Sequence, residues 1–598
     1  MGSCLAGLTA DWRDAGCTEQ GDDAPAPAVW ASRLGLAMLL LGVACRLYVY
    51  SLSYPIWRDE ASLALNFVRR DFRGLLHELG NFQVAPLLFL WIEKAVYQYL
   101  GGSAALLRLA PLLAGVSALV LFWRLARRCL MPLAASFAVG ILAVAQTPVH
   151  LASTVKPYSF DLFAATLLLT LAVRYLDAPQ RSVNLVALAL MVPFVTAASY
   201  PAIFVAGAVG LVLLPVAWRQ GSTAARRWLI AYSVLCTATF AAHLHFVGHE
   251  GHDGTLPSVQ AFMTGFWQGG FLPRQPLPAL RWLVRCHTGH MLSYPLAFNG
   301  GGLLGLLLAA AGVHALYRQR QLGLLALCLM PFALSFAAAA LRRYPYAGDQ
   351  RLEQHLVPGI CLLLGSGIAD VIGRLPAVGL GRRWSAAGVA GLLVLIAVSE
   401  AAEDSLHPYY DVEAAWAAEI GRHLRREMRP HDRIVFPHVE RFTLNCLRWQ
   451  LLPLAQQVCT TAEIDSLRLE RGGGRLWFID QMVEQAPAAE DPPVRDPRKR
   501  FPVWTRDAWH PVGSIRFLAR ESKPGAQRVF HYCCDLHILE HNTELARAIV
   551  NLPENFVNGS GVTVQADGKV QGLEELLQWP HPRFMPISTI LTTSIDCD

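Results

Sequence analysis

Apolar runs near twenty residues long recur along the first two thirds of the chain, parted by short connections rich in arginine. They fall at 34–52, 104–123, 133–151, 160–173, 183–200, 203–218, 228–247, 296–317, 322–341, 356–372 and 385–398. A helix needs about twenty apolar residues to cross the hydrocarbon layer. The pattern therefore predicts an α-helical polytopic membrane protein of about eleven spans with interfacial helices beside them.

The segment 86–99 is apolar but short, with Glu93-Lys94 near its middle. It reads as a helix lying in the interface, and 61–79 as an amphipathic helix with its charges on one side. With 86–99 kept out of the membrane, the tight basic connections, such as Arg124, Arg127 and Arg128, mostly share one face. The positive-inside rule makes that face the cytoplasm. The N-terminus is then inside, and Asp59, Lys156, Arg351 and the C-terminal region lie outside.

Past about residue 400 the pattern becomes that of a soluble domain. Helical periodicity runs over 413–427, and 433–436, 475–479 and 529–534 read as strands of an extracytoplasmic α/β module, with a Pro- and charge-rich loop at 487–500. The expected organisation is a disordered tail at 1–28, a transmembrane domain at 29–402 and a soluble domain at 403–598. The tail lacks the basic start of a cleavable signal, so 34–52 reads as an uncleaved first span.

Composition agrees with the pattern. The chain of 598 residues is 54% hydrophobic and only 16% charged, against roughly a quarter charged in soluble proteins. The net charge of +6 comes from arginines at span ends, which suits membrane topology and not nucleic-acid binding. The 13 cysteines are scattered without metal-ligand spacing. The adjacent Cys533 and Cys534 cannot readily bridge each other; either could pair with Cys446 or Cys459.

The first span emerges into Tyr54-Pro55-Ile56-Trp57-Arg58-Asp59-Glu60. An acid pair at a span exit can supply a general base facing a lipid-linked substrate. The structural alternative is that the pair caps the following helix. Arg46, inside the first span, must snorkel or face a polar cavity. Asp161 either caps the fourth run or lies within the membrane, depending on where that span begins.

Three pieces in order, Pro55-x3-Asp59-Glu60-Ala61, Gln83-x-Ala85-Pro86-Leu87-Leu88-Phe89 and Gly101-x5-Leu107-Arg108-Leu109, resemble the N-terminal signature of the glycosyltransferase C superfamily. The likeness is to its bacterial branch, related to protein O-mannosyltransferases and the lipid A aminoarabinose transferase. Lys156-Pro157-Tyr158-Ser159-x-Asp161 resembles that branch's second external loop, Tyr344-Pro345 with Arg351 a late external loop, and Arg429-Pro430-x-Asp432-Arg433-Ile434-Val435 the start of its extracytoplasmic domain. The resemblance covers about 34–440 and leaves 490–598 unmatched.

It implies a hexosyl- or pentosyltransferase of the bacterial inner membrane, taking a sugar from a polyprenyl-phosphate donor to an acceptor hydroxyl of a glycan, lipid or protein on the outer face. The phosphate is already a good leaving group, so little acid catalysis is needed. The attacking hydroxyl must lose a proton, and charge on the departing phosphate calls for cations. Asp59 is the candidate base, and Glu60 would bind acceptor or position Asp59. Lys156 and Arg351, with Arg342 or Arg343, are candidate phosphate partners; Arg46, Asp161 and Tyr158 are further polar candidates. Arg342 and Arg343 as snorkelling residues, and Lys156 as an interface anchor, are the structural alternatives.

No cofactor is evident, and a divalent cation stays open. The run His243-x-His245-x3-His249-Glu250-x-His252 matches no familiar ligand spacing and reads as a solvated loop. Asn558-Gly559-Ser560 is a glycosylation sequon, relevant only in a eukaryotic secretory setting. A transporter or flippase of a lipid-linked sugar is the alternative function, but it predicts repeats and broken helices that the sequence does not show. A membrane scaffold without catalysis is a third class.

Overall fold

The computed structural model describes residues 26–248, 264–296, 301–375, 381–406, 412–438, 441–458, 475–487, 509–521, 528–541, 563–564, 570–571 and 593–597. The sequon, most of the N-terminal tail, Cys459 and the 249–252 part of the histidine run lie outside them. The chain divides into two compact units, one of Met1–Tyr54 with Asn66–Pro408, the other of Pro55–Leu65 with Tyr409–Asp598.

The first unit is helical: α1 (Ala26–Ser51), the end of α2 (Arg58–Arg69), α3 (Leu87–Ala95), α4 (Leu109–Cys129), α5 (Pro132–Val144), α6 (Gln146–Leu151), α7 (Tyr158–Asp177), α8 (Val183–Ala198), α9 (Ala202–Arg219), α10 (Thr223–Gly248), α11 (Pro276–Thr288), α12 (Gly301–Arg318), α13 (Leu322–Ala340), α14 (Val357–Gly373) and α15 (Gly381–Leu406). Among the described residues seven helices, those carrying α1, α4, α7, α9, α12, α13 and α15, are long and apolar enough to cross a membrane. Three more, α5, α8 and α14, are apolar but shorter. Their outward side chains are themselves apolar, as at Leu40, Leu113, Phe194, Leu211, Leu307 and Leu395. Such surfaces suit a hydrocarbon solvent, in which apolar exposure costs nothing.

Small residues let the helices close on one another. A β-carbon at Gly312 on α12 would lie 2.0 Å from the Leu363 carbonyl oxygen on α14, and one at Gly367 equally close to Leu308. These two helices therefore pack backbone to backbone at positions that only glycine permits.

The unit has two chemically distinct ends. At one, Arg128 at the foot of α4 pairs with Asp177 at the foot of α7, and Gln180 donates to the Gln220 carbonyl just past α9. This is the end of the arginine-rich connections. At the other, α6 meets the short turn Gln350–Glu353 through Thr147, whose hydroxyl donates to Gln350 Oε1 at 2.6 Å. The heads of α7 and α14 lie at this second end.

Two expectations need correction. The amphipathic helix read over 61–79 stops at Arg69, because Asn66 turns back to bracket Gly80, accepting from its N–H at 2.7 Å and donating to its carbonyl at 3.4 Å. Glu93 and Lys94 do not face an interface; both are buried, and Lys94 donates to the Phe67 carbonyl at 2.9 Å. The short α3 is thus polar in its middle for contact with protein.

In the second unit, α16 (Val412–Glu427) and α17 (Arg441–Gln450) accompany a sheet ordered β1 (Arg433–His438), β2 (Arg475–Pro487), β4 (Arg528–His541), β3 (Trp509–Glu521), β7 (Thr593–Cys597), beside a two-stranded ladder of β5 (Thr563–Val564) and β6 (Val570–Gln571). Strand β1 runs parallel to β2, β4 antiparallel to β2 and β3, and β7 parallel to β3. Strand β3 falls where the sequence offered no apolar run.

Buried Asp432 anchors the junction of β1 and β2. It accepts from the Arg429 and Arg475 N–H groups, from the Arg475 guanidinium and from Trp477 Nε1 at 2.9 Å. Burial alone would raise its pKa; these hydrogen bonds more than offset it and hold the carboxyl below the ordinary value.

Candidate active site

The acid pair opens α2, with Asp59 and Glu60 in its first turn. Glu60 is buried, and its Oε2 accepts the Trp57 N–H at 3.2 Å. That is the return half of a capping box, in which the third helical residue satisfies the N–H of the residue before the helix. The helix is held in the second unit by Ile56, Leu63 and Leu65, all buried, and by Asn445, whose Nδ2 donates to Ser62 Oγ at 3.0 Å. Asp59 stays half-exposed. A capping role thus falls on Glu60.

In the first unit, two hydrogen bonds join residues of different sequence motifs. Arg108 Nη1 donates to the Tyr54 carbonyl at 2.6 Å, fixing the chain where it leaves α1. Lys156 Nζ donates to Gln83 Oε1 at 2.6 Å, and both side chains are buried. Gln83 follows Asn81 and Phe82, which both hold positive φ, 62° and 53°. Left-handed backbone at two successive residues is costly without glycine, and is kept only where the surroundings impose it.

Asp161 is buried near the head of α7. It does not cap the helix: the capping position is Pro157, which offers no side-chain bond. One carboxyl oxygen takes a hydrogen bond from Ser199, and Oδ1 is buried with no hydrogen-bond partner among the described residues. Tyr158, half-buried one turn earlier, and Tyr344 both lie close enough for electrostatic coupling, the second to Asp161 itself.

The segment between α13 and α14 supplies the arginines. Arg342 and Arg343 are exposed, Arg342 with φ at 55°. Arg351 is engaged, its Nε 3.0 Å from Asp349 Oδ2 and its guanidinium over the Trp267 ring at 5.3 Å. An acid on Arg351 offsets part of the charge it would offer a phosphate.

Arg46 takes neither of the routes expected of it. It is wholly buried and donates to the carbonyls of Gly42, Ala143 and Leu142 at 2.9, 3.1 and 3.2 Å. The last two are orphan acceptors at the end of α5, where a cation suits the helix dipole. Arg46 is a structural clamp between α1 and α5.

The sequence reading missed the groups beside Arg351. Glu353 is buried; its carboxyl takes the Ala347 N–H, while Oε1 has no hydrogen-bond partner among the described residues. Burial, reinforced by Asp349, raises its pKa to about 8 despite that one bond. His355, bonded through Nε2 to Ser335 Oγ at 2.9 Å, is driven by burial down to about 3 and stays neutral. A carboxylate in a loop gives no periodic signal, so its burial could be read only from the fold. His150 and Asp404, 3.0 Å apart in a cleft of about 270 Å³ between α1, α6 and α15, were missed because 254 residues of chain separate them.

Among the described residues no group of three His, Cys, Asp or Glu side chains is placed to hold a metal ion.

No protein-family model matches the chain, and no curated protein does. Among solved structures it is similar to ArnT from Cupriavidus metallidurans bound to undecaprenyl phosphate, at 14% identity over 74% of this chain and 92% of that one, TM-score 0.48. The same protein in its apo state matches at 15% identity over 74% and 93%, TM-score 0.46. The Archaeoglobus fulgidus oligosaccharyltransferase in its apo form matches at 11% over 71% and 64%, TM-score 0.39.

Proposed function

We propose that the chain is a membrane glycosyltransferase that moves a sugar from a polyprenyl-phosphate donor to an acceptor hydroxyl on the extracytoplasmic face. The observation that carries the reading is the buried Lys156, bonded to Gln83, at the end of the apolar bundle where one Asp161 oxygen has no hydrogen-bond partner among the described residues. A buried cation is expensive unless it serves a protein partner or a ligand. An anionic lipid head is such a ligand, and apolar walls suit its chain.

In this reading Lys156, with the exposed Arg342 and Arg343, stabilises the charge that gathers on the departing phosphate. Arg351 contributes less, because Asp349 already pairs with it. Asp59 takes the proton of the attacking hydroxyl as the new glycosidic bond forms and the sugar–phosphate bond breaks. Glu60, spent on the Trp57 N–H, shapes the turn that presents Asp59. The protein would sit in a bacterial inner membrane with about eleven spans, N-terminus inside and the C-terminal unit outside. Enzyme reporter fusions at Arg128 and Glu403 check the topology; a periplasmic reporter active at the first and silent at the second would reverse it.

The deciding test of function is a transfer assay with purified protein and a panel of polyprenyl-phosphate sugars, read by mass spectrometry of released polyprenyl phosphate. Release with none of the panel, and with none of protein, lipid A or polysaccharide acceptors, would remove the reading.

A further inference from the structure

The helix α11 lies between the apolar runs 228–247 and 296–317 and is amphipathic in an unusual way. Its inner side buries Trp282 and Cys286. At about 100° per residue the remaining positions divide into two sectors. One holds Leu277, Leu280, Leu283 and Val284, exposed at 57%, 59%, 37% and 54%. The other holds Arg281 and Arg285, also exposed, with Arg274 exposed just before the helix. The helix contains no acid.

A helix with one side on protein, one apolar and one cationic fits a particular place. The apolar sector is too large and too open for water, and the arginines exclude the hydrocarbon centre. Both are satisfied where acyl chains meet head groups. The bundle to which α11 is fixed already presents apolar helices to a bilayer, so such a surface is close by. The fixing is specific: Trp282 Nε1 donates to the Gly269 carbonyl at 2.8 Å, and His287 Nε2 lies 3.1 Å from the Tyr346 hydroxyl. Tyr346 N in turn donates to the Gly270 carbonyl at 2.8 Å.

We propose that α11 is a membrane-surface helix that seats Leu277, Leu280, Leu283 and Val284 among acyl chains and binds the phosphates of anionic lipids through Arg281 and Arg285. The occupant is the bilayer itself, not a soluble partner, because a cationic sector bordering an apolar one matches a lipid head group bordering its chain. The inference needs only that the bundle spans a membrane and does not depend on the reaction catalysed.

The test is hydrogen exchange of full-length protein in nanodiscs of phosphatidylcholine alone and of phosphatidylcholine mixed with phosphatidylglycerol. The backbone N–H groups of α11 should exchange about thirtyfold more slowly with the anionic lipid, the scale for two arginines near a charged surface at about 1 kcal/mol each. Arg281→Gln with Arg285→Gln should abolish that difference, while amides of α12 report that the fold is intact. Leu280→Gln with Val284→Gln should speed exchange in both bilayers. Equal wild-type exchange in the two bilayers would overturn anionic-lipid binding without any variant. Unchanged exchange in the Leu280/Val284 variant would overturn the seating, and would indicate a helix that faces solvent or a soluble acidic partner.

Discussion

Lys156 Nζ and Gln83 Oε1 are 2.6 Å apart across 73 residues of chain, each buried and each from a different sequence motif. Neither residue explains its burial alone. Together they satisfy an amide oxygen and fix an ammonium. Lys156→Ala should weaken binding of polyprenyl phosphate by about tenfold or more, the scale of one charge-assisted hydrogen bond. Gln83→Ala should weaken it less, because the ammonium survives. Thermal unfolding separates the roles: the Lys156 variant also strands the Gln83 oxygen, which costs about 1–3 kcal/mol. Destabilisation with unaltered lipid affinity would make the pair purely structural.

Glu353 predicts a pH dependence with a definite sign. Its pKa is raised from 4.5 to about 8 by burial in the folded protein. The folded state therefore holds a proton that the unfolded state has lost. The stabilisation is full below pH 4.5 and is lost as pH rises towards 8. Glu353→Gln keeps the shape of the protonated acid and cannot ionise. Its stability should match wild type near pH 5 and exceed it near pH 8, measured by thermal unfolding in detergent. Parallel stability curves for the two proteins would contradict this.

What the sequence disclosed follows the physics of each signal. Long apolar runs are legible because hydrocarbon imposes length and composition together, as in α4 and α9. Lys156 and Gln83 were visible as motif members, but nothing in their spacing said that they touch. Arg46 was misjudged because sequence shows a charge in a span and not the carbonyl ends of α5 that receive it. The same blindness applied to Glu93 and Lys94, where a polar pair in a short helix looks like an interface and is in fact interior. In α11, a three-sided pattern in thirteen residues hides among prolines and arginines and gives no apolar run.

Asp432 should govern the stability of the second unit. Its carboxylate collects two backbone N–H groups, a guanidinium and an indole, with no exposure. Asp432→Ala would leave Arg475 without its acid and is expected to cost about 3–5 kcal/mol, the scale for breaking a buried ion pair. Because its pKa is depressed, the stabilisation is present above the ordinary carboxylate range and is lost as pH falls through the folded value. Limited proteolysis of the second unit, with the helical unit as internal control, measures this. Equal protease resistance in the variant would show that the hydrogen bonds merely replace solvent.

The acid pair offers the sharpest separation of catalysis from structure, because the cap and the proposed base are different residues. Glu60 is buried and accepts the Trp57 N–H; Asp59 is half-exposed. Asp59→Asn preserves shape and removes only the basic group, so transfer should fall by about a hundredfold or more, the scale of general base catalysis. Donor affinity should hardly change, since a carboxylate does not attract a phosphate. Glu60→Ala loses a cap and should cost about 1 kcal/mol of stability. The surviving folded protein should retain more of its turnover than the Asp59 variant does. Transfer rate and donor affinity, measured on variants matched for folded fraction, decide between the two roles. Normal turnover in Asp59→Asn would remove Asp59 as the base. Loss confined to Glu60→Ala would instead move the catalytic role to the buried acid, and the turn at Trp57 would then be holding a reactive group and not a cap.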